Sequence, residues 1–184
     1  MKADAETIQL IEACKAKKRK AYKELYDRYA PVLYPICLRY THSREDANDI
    51  LHDTFIKIFD KIRTIKDNEN LTAWMRRVTV NTALDFLRAK AETTLSLEIE
   101  QEASSQIETP PTYSRHDIQI IMQAISQLPD LRRIIFNMRE IEGYEYADIA
   151  QRLNITESAA RVNLNRAKQQ LRDILTEIDP QIDQ

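Results

Sequence analysis

A single glycine, Gly143, serves all 184 residues. Hairpin sheets turn on Asn-Gly, Asp-Gly or Gly-Gly pairs, and the phosphate loops of βαβ folds need glycines at fixed offsets. This chain has neither. Helices need glycine only at an occasional C-terminal cap, so an all-α fold is predicted. The apolar share, 43%, suffices for helical cores, and 30% charged residues cover a water-facing surface.

The clearest boundary is "AETTLSLEIEQEASSQIETPPTY", residues 91–113. It lacks helical periodicity, is rich in Glu, Ser and Thr, and ends on Pro110-Pro111. Such a stretch buries too little apolar surface to offset the entropy of ordering it. It predicts a flexible acidic linker over 91–114 between two small helical domains, an N-terminal bundle at 1–90 and a C-terminal domain at 115–184. Charge divides along the same lines. Residues 1–90 carry 18 Lys+Arg against 13 Asp+Glu, residues 91–114 carry five Glu and no cation, and residues 115–184 carry 9 against 11. The net charge of −2 thus conceals basic surfaces on either side of an acidic connection.

In the first domain Tyr22, Leu25, Tyr26, Tyr29, Leu33, Ile36 and Tyr40 recur at helical spacing, with Pro31 and Pro35 expected to kink or divide the helix. Ser43 with Asp46 three residues on reads as a helix start. It opens an apolar stripe of Ala47, Ile50, Leu51, Thr54, Phe55, Ile58, Phe59 and Ile62. Asp46, Asp49 and Asp53 fall on the other side, with His52 beside them. After the polar loop 63–70 a helix over about 70–90 is predicted to bury Leu71, Met75, Val78, Thr82 and Phe86. It should expose Arg77, Asn81, Leu84 and Arg88 in one arc, giving a bundle of roughly four helices.

In the second domain Pro129 suits a helix start and Gly143 its left-handed end, with Leu131, Ile134, Ile135, Met138 and Ile141 as the buried stripe. A short helix over 145–152 follows, pointing Ala147, Ile149, Ala150 and Leu153 inward. Asn154 turns the corner and Thr156 caps a helix over about 157–178. Helix, tight turn, helix is the layout that sets a helix in the DNA major groove. With Ala160, Leu164, Ala167 and Leu171 facing the core, Arg161, Asn163, Asn165, Arg166 and Lys168 are left for solvent. Arg reads guanine edges or holds phosphate and Asn reads adenine, so this is the predicted DNA-reading face.

Other chemistry is poorly served. Asp49-x-x-His52 matches half of a bundle di-metal site, but no second carboxylate-x-x-His pair exists to complete it; no metal and no cofactor is expected. Cys14 and Cys37 form no CxxC or Cys/His cluster and read as buried small apolar residues. No nucleophile–base–orienter set is present, so the chain is not expected to be an enzyme. No apolar run reaches the roughly 18 residues of a membrane span, and no signal-peptide core is present. The expected location is cytoplasmic, without membrane insertion.

Read in order, "AYKELYDRYAPVLYPICLRY", "REDANDILHDTFIKIF", "AWMRRVTVNTALDFLR" and "LPDLRRIIFNMREIEGYEYADIAQRLNI" with the helix from 157 resemble the extracytoplasmic-function (ECF) subfamily of bacterial RNA polymerase sigma factors. The resemblance covers about 20–90 and 125–173. It implies an alternative sigma factor that binds core RNA polymerase and directs promoter-specific initiation. Asp46, Asp49, His52 and Asp53 would dock on the β′ clamp helices. Loop 63–70 and the helix after it, through Arg63, Lys66, Asn68, Arg76, Arg77, Asn81 and Arg88, would melt and hold the −10 element. Arg161, Asn163, Asn165, Arg166 and Lys168 would read the −35 element, with the β flap as a further contact. The linker would thread the polymerase cleft, and an anti-sigma factor is an expected partner. Ser158-Ala159-Ala160 stands where the family often has Gly-Thr-Val, Val162 and Asn163 replace more polar or basic residues, and His52 replaces a usual Gln. A relative's −35 preference therefore does not carry over. The rival readings are an autonomous helix-turn-helix regulator, for which no dimerisation helix is apparent, and a helical adaptor that binds only protein.

Overall fold

A computed structural model describes residues 5–41, 43–65, 70–95 and 116–178. The chain divides into two compact units, Met1–Ser105 and Gln106–Gln184. Both are all-α, and no strand occurs among the described residues.

The first unit comprises α1 (Ala5–Lys15), α2 (Arg19–Tyr40), α3 (Arg44–Lys61), a 3₁₀ turn (Ile62–Thr64) and α4 (Leu71–Leu95). Between α1 and α2 the chain reverses through Lys17 in the left-handed region, φ 57°, and the Lys18 amide donates to the Ala13 carbonyl at 3.1 Å. α2 is not divided at Pro31 and Pro35 but runs through both as one helix. Pro31 removes one hydrogen bond, to the carbonyl of Asp27, an exposed residue that water can satisfy. The buried stripe Leu25, Tyr29, Leu33, Ile36, Cys37 and Tyr40 holds the helix against the bundle. The amides of Glu45 and Asp46 donate to Ser43 Oγ at 3.1 and 3.3 Å, so α3 starts where its cap predicts. Its whole predicted stripe is buried except half-buried Phe59. Tyr22 stacks on Phe59 at 4.4 Å and Tyr26 meets Phe55 at 4.6 Å, an aromatic seam between α2 and α3.

α4 packs on both α2 and α3, so its buried arc is wider than one stripe. Thr79, Val80, Ala83 and Leu84 are buried beside Leu71, Met75 and Thr82, whereas Val78 and Phe86 are half-buried. Leu84, expected on the outer face, is thus a core residue. The Thr79 and Thr82 hydroxyls donate to the carbonyls one turn back at 2.9 Å, which pairs both inside the core. The helix also continues to Leu95, past the expected end at 90, because nothing in "AETTL" stops it. The rest of the expected linker lies outside the described residues.

The second unit comprises α5 (His116–Ser126), α6 (Asp130–Phe136), a π-helical turn (Asn137–Ile141), α7 (Tyr146–Leu153) and α8 (Glu157–Ile178). Ala124, Ile125 and Leu128 pack on Ala167 and Leu171 to form a core between α5 and α8. Ile134, Ile135 and Met138 are buried as predicted, but Leu131 and Ile141 are 41% and 36% exposed. The π turn adds a residue to the turn and throws Ile141 out of phase, while Arg133 and Asn137 take inward positions. Burial pulls the Arg133 guanidinium below its ordinary pKa, and Asp130 at 2.8 Å opposes the shift. Gly143 ends the turn at φ 75°, with the Tyr144 amide donating to the Met138 carbonyl at 2.9 Å. Cys14 and Cys37 are buried and free; burial pushes their thiols up to about 11 and about 12, so neither is a thiolate at neutral pH.

Candidate functional site

On α3, Asp49, His52 and Asp53 share one exposed face that continues into Ile56, which is 55% exposed. None of the three polar residues has an ion-pair or hydrogen-bond partner among the described residues. Asp46 differs from them. It is half-buried and takes Lys90 Nζ of α4 at 2.7 Å, so it ties two helices together. The predicted acidic face is therefore an open row of Asp49, His52 and Asp53 beside a structural carboxylate. Among the described residues no group of three or more His, Cys, Asp or Glu is placed to hold a metal. Nor is any helix there long and apolar enough to cross a membrane.

On α4, Arg77, Asn81 and Arg88 fall within an arc of about 40° at 100° per residue. Arg77 and Arg88 are exposed, and Arg76 and Asn81 are half-buried. Arg88 donates to Asp85 at 3.2 Å, and Asp85 also takes Lys57 of α3 at 3.0 Å. Arg63 is exposed at the 3₁₀ turn, whereas Lys66 and Asn68 lie outside the described residues. Asn70 starts α4, its side chain accepting from the Ala73 amide at 3.1 Å.

In the second unit the corner forms as its residues dictate. Asn154 sits at φ 53°, ψ 46°, and the Ile155 amide reaches back to the Ala150 carbonyl at 3.0 Å. The Ala159 amide donates to Thr156 Oγ1 at 3.1 Å, capping α8. Ile149 and Ala150 of α7 are buried; Ala147, expected inward, is exposed, and Leu153 is half-buried. Ala160, Leu164, Ala167 and Leu171 turn inward as predicted.

The five polar residues predicted to read DNA from α8 are placed in three ways. Asn165 and Arg166 are exposed, with no partner among the described residues. Asn163 is half-buried and its amide donates to the Ala159 carbonyl at 2.9 Å, while Lys168 pairs with Glu140 of the π turn at 3.0 Å. Both serve the unit's own structure. Arg161 pairs with Glu157 at 2.9 Å and lies over the Tyr146 ring, its Cζ 4.1 Å from the centroid. Sequence reasoning missed the residues around it. Arg139 also lies over Tyr146, at 4.7 Å, and Arg152 lies over Tyr144 at 5.1 Å. The available signal was the pair of tyrosines in "EGYEYADIA", which periodicity does not require for the core. Val162, 45% exposed beside Arg161, was likewise unassigned.

Comparison with known proteins supplies the context. The Sigma-70 region 2 family model matches residues 25–93 and the Sigma-70, region 4 model matches residues 118–171. The chain is 27% identical over 159 residues to the ECF RNA polymerase sigma factor SigE of Mycolicibacterium smegmatis, covering 84% of this chain and 62% of that one. It is 26% identical over 173 residues to the ECF RNA polymerase sigma-E factor of Haemophilus influenzae, covering 88% and 91%. The chain belongs to the ECF sigma factors. It spans less than two thirds of the mycobacterial relative and about nine-tenths of the Haemophilus one.

Two solved structures share the fold of this ECF sigma factor. One is the sigma factor RpoE in complex with the anti-sigma factor NepR from Bartonella quintana, with TM-score 0.59, 21% identity, and 87% and 99% of the two chains covered. The other is CnrH with the cytosolic domain of CnrY, with TM-score 0.51, 17% identity, and 94% and 97% covered. ECF sigma factors are initiation factors and not enzymes, which agrees with the absence of a nucleophile–base–orienter set from the sequence.

Proposed function

We propose that this ECF sigma factor binds core RNA polymerase and directs promoter-specific initiation, working in the cytoplasm. The observation that carries the reading is one chain holding both a helix-turn-helix with Asn165 and Arg166 open and a row of unpaired acids on α3. A DNA reader that also presents a protein-docking face is what a polymerase specificity subunit requires. Residues 1–90 form the promoter-melting domain. In it Asp49, His52 and Asp53 dock on the β′ clamp helices, with Asp46 holding their helix in place. Arg63, Lys66, Asn68, Arg76, Arg77, Asn81 and Arg88 serve the −10 element. Residues 115–184 meet the β flap and read the −35 element chiefly through Arg161, Asn165 and Arg166. Residues 91–114 connect the two. An anti-sigma factor is the proposed regulator, in line with the complex in which the RpoE neighbour was solved.

Run-off transcription on a pooled genomic promoter library, using core bacterial polymerase with and without the chain, tests the proposal. New start sites that share spaced upstream motifs are expected. Core binding without new starts, or binding to promoter DNA without core, would contradict it.

A further inference from the structure

The Tyr146 ring is the first residue of α7, yet its contacts lie on other elements. Arg139, in the π turn, places its guanidinium 4.7 Å from the ring centroid, and Arg161, one turn into α8, places its own at 4.1 Å. Two cations close to one ring would repel each other. Each, however, brings its own carboxylate: Arg139 pairs with Glu145 at 2.9 Å and Arg161 with Glu157 at 2.9 Å. Arg139 also donates to the Tyr144 carbonyl at 2.8 Å. Its side chain is 28% exposed, against 55% for Arg161. The arrangement is therefore asymmetric. Arg139 is bonded to the backbone and to Glu145 and anchors the ring, and the ring in turn supports the more open Arg161.

We infer that Tyr146 is a positioning residue for promoter recognition, holding Arg161 in the orientation from which it meets the −35 element. This rests on α8 being the −35 reader. An arginine on a helix surface samples many rotamers, and fixing it before DNA arrives removes that entropy from binding. An aromatic face and a carboxylate together fix a planar guanidinium in two directions. The pairing leaves more than half of the Arg161 side chain open, so it orients the group without covering it. Tyr146 acts through its ring face, so its hydroxyl is dispensable.

The test uses holoenzyme assembled from core polymerase and the full chain, on promoters recovered in the run-off experiment and on copies with the −35 element scrambled. The quantity read is the ratio of transcription from matched and scrambled templates. Tyr146→Phe should keep the wild-type ratio. Tyr146→Leu should lower it roughly three- to tenfold, the range one cation–aromatic contact supports. In an Arg161→Ala background Tyr146→Leu should lower it no further, because the two residues act as one unit. A full additional loss in that background overturns the proposal, as does a loss with Tyr146→Phe equal to that with Tyr146→Leu, which would assign the effect to the hydroxyl. A wild-type ratio of one removes the −35 reading itself and the proposal with it. Should Tyr146→Leu not fold, NMR of the wild-type chain still decides. The Arg161 Hδ protons must be shifted upfield by the ring, and unshifted protons overturn the proposal.

Discussion

Among the described residues three hold a left-handed backbone, and one of them is a glycine: Lys17 at φ 57°, Asn154 at φ 53° and Gly143 at φ 75°. Asn tolerates the region through its short polar side chain, but lysine gains nothing there. Lys17→Gly should therefore stabilise the first unit by about 0.5–1 kcal/mol, seen as a higher urea midpoint; a lower midpoint would mean that the lysine side chain holds the α1–α2 turn. Gly143 presents the reverse case. A Cβ built there meets nothing within 4 Å, so Gly143→Ala should cost only the backbone strain, about 1–2 kcal/mol. A larger loss in the second unit would reveal a clash. The sequence flagged Gly143 and Asn154 by residue type, but Lys17 carries no such mark, since its conformation is imposed by the packing of α1 on α2.

At the scale of elements, legibility follows how wide an arc each helix buries. The buried positions of α3 and α8 fall on one stripe, so a 3.6-residue period and a capping residue located both. α4 buries a wider arc, and a single-stripe reading placed Leu84 outside when it is 4% exposed. α6 passes into a π turn, which no periodicity announces, and so Ile141 was misplaced. The same limit reached the candidate site. Periodicity assigns a side chain to a face but not to a partner, so Asp46 was grouped with Asp49 and Asp53 although its carboxylate is occupied by Lys90. That difference is measurable. Asp49→Arg with Asp53→Arg should abolish core-polymerase binding in a pull-down while leaving the unfolding midpoint within about 0.5 kcal/mol of wild type. Asp46→Asn should lower first-unit stability by up to about 1 kcal/mol, as for a partly exposed ion pair, and leave core binding near wild type. The opposite pattern would move the docking row.

For the molecule as a whole, the net charge of −2 misled less than it first seemed to, because cations and anions are paired locally. In the first unit Lys90, Lys57, Arg88 and Arg28 all have carboxylate partners. In the second, α8 does the same: Arg161 has Glu157 and Lys168 has Glu140. Protein–DNA affinity ordinarily falls with salt by about 0.9 in log–log slope per phosphate neutralised, because counterions condensed on DNA are released. A cation that must first leave, or share, its own carboxylate gains little from that release. Fluorescence anisotropy of the full chain on random duplex DNA should therefore show weak, shallow salt dependence. Glu140→Gln and Glu157→Gln should each tighten this non-specific binding and steepen the slope by up to about 1; unchanged slopes would show that the pairs do not survive in solution. Those two carboxylates are counterions built into the chain, and in the proposed role they would keep a DNA reader from adhering to every phosphate it passes.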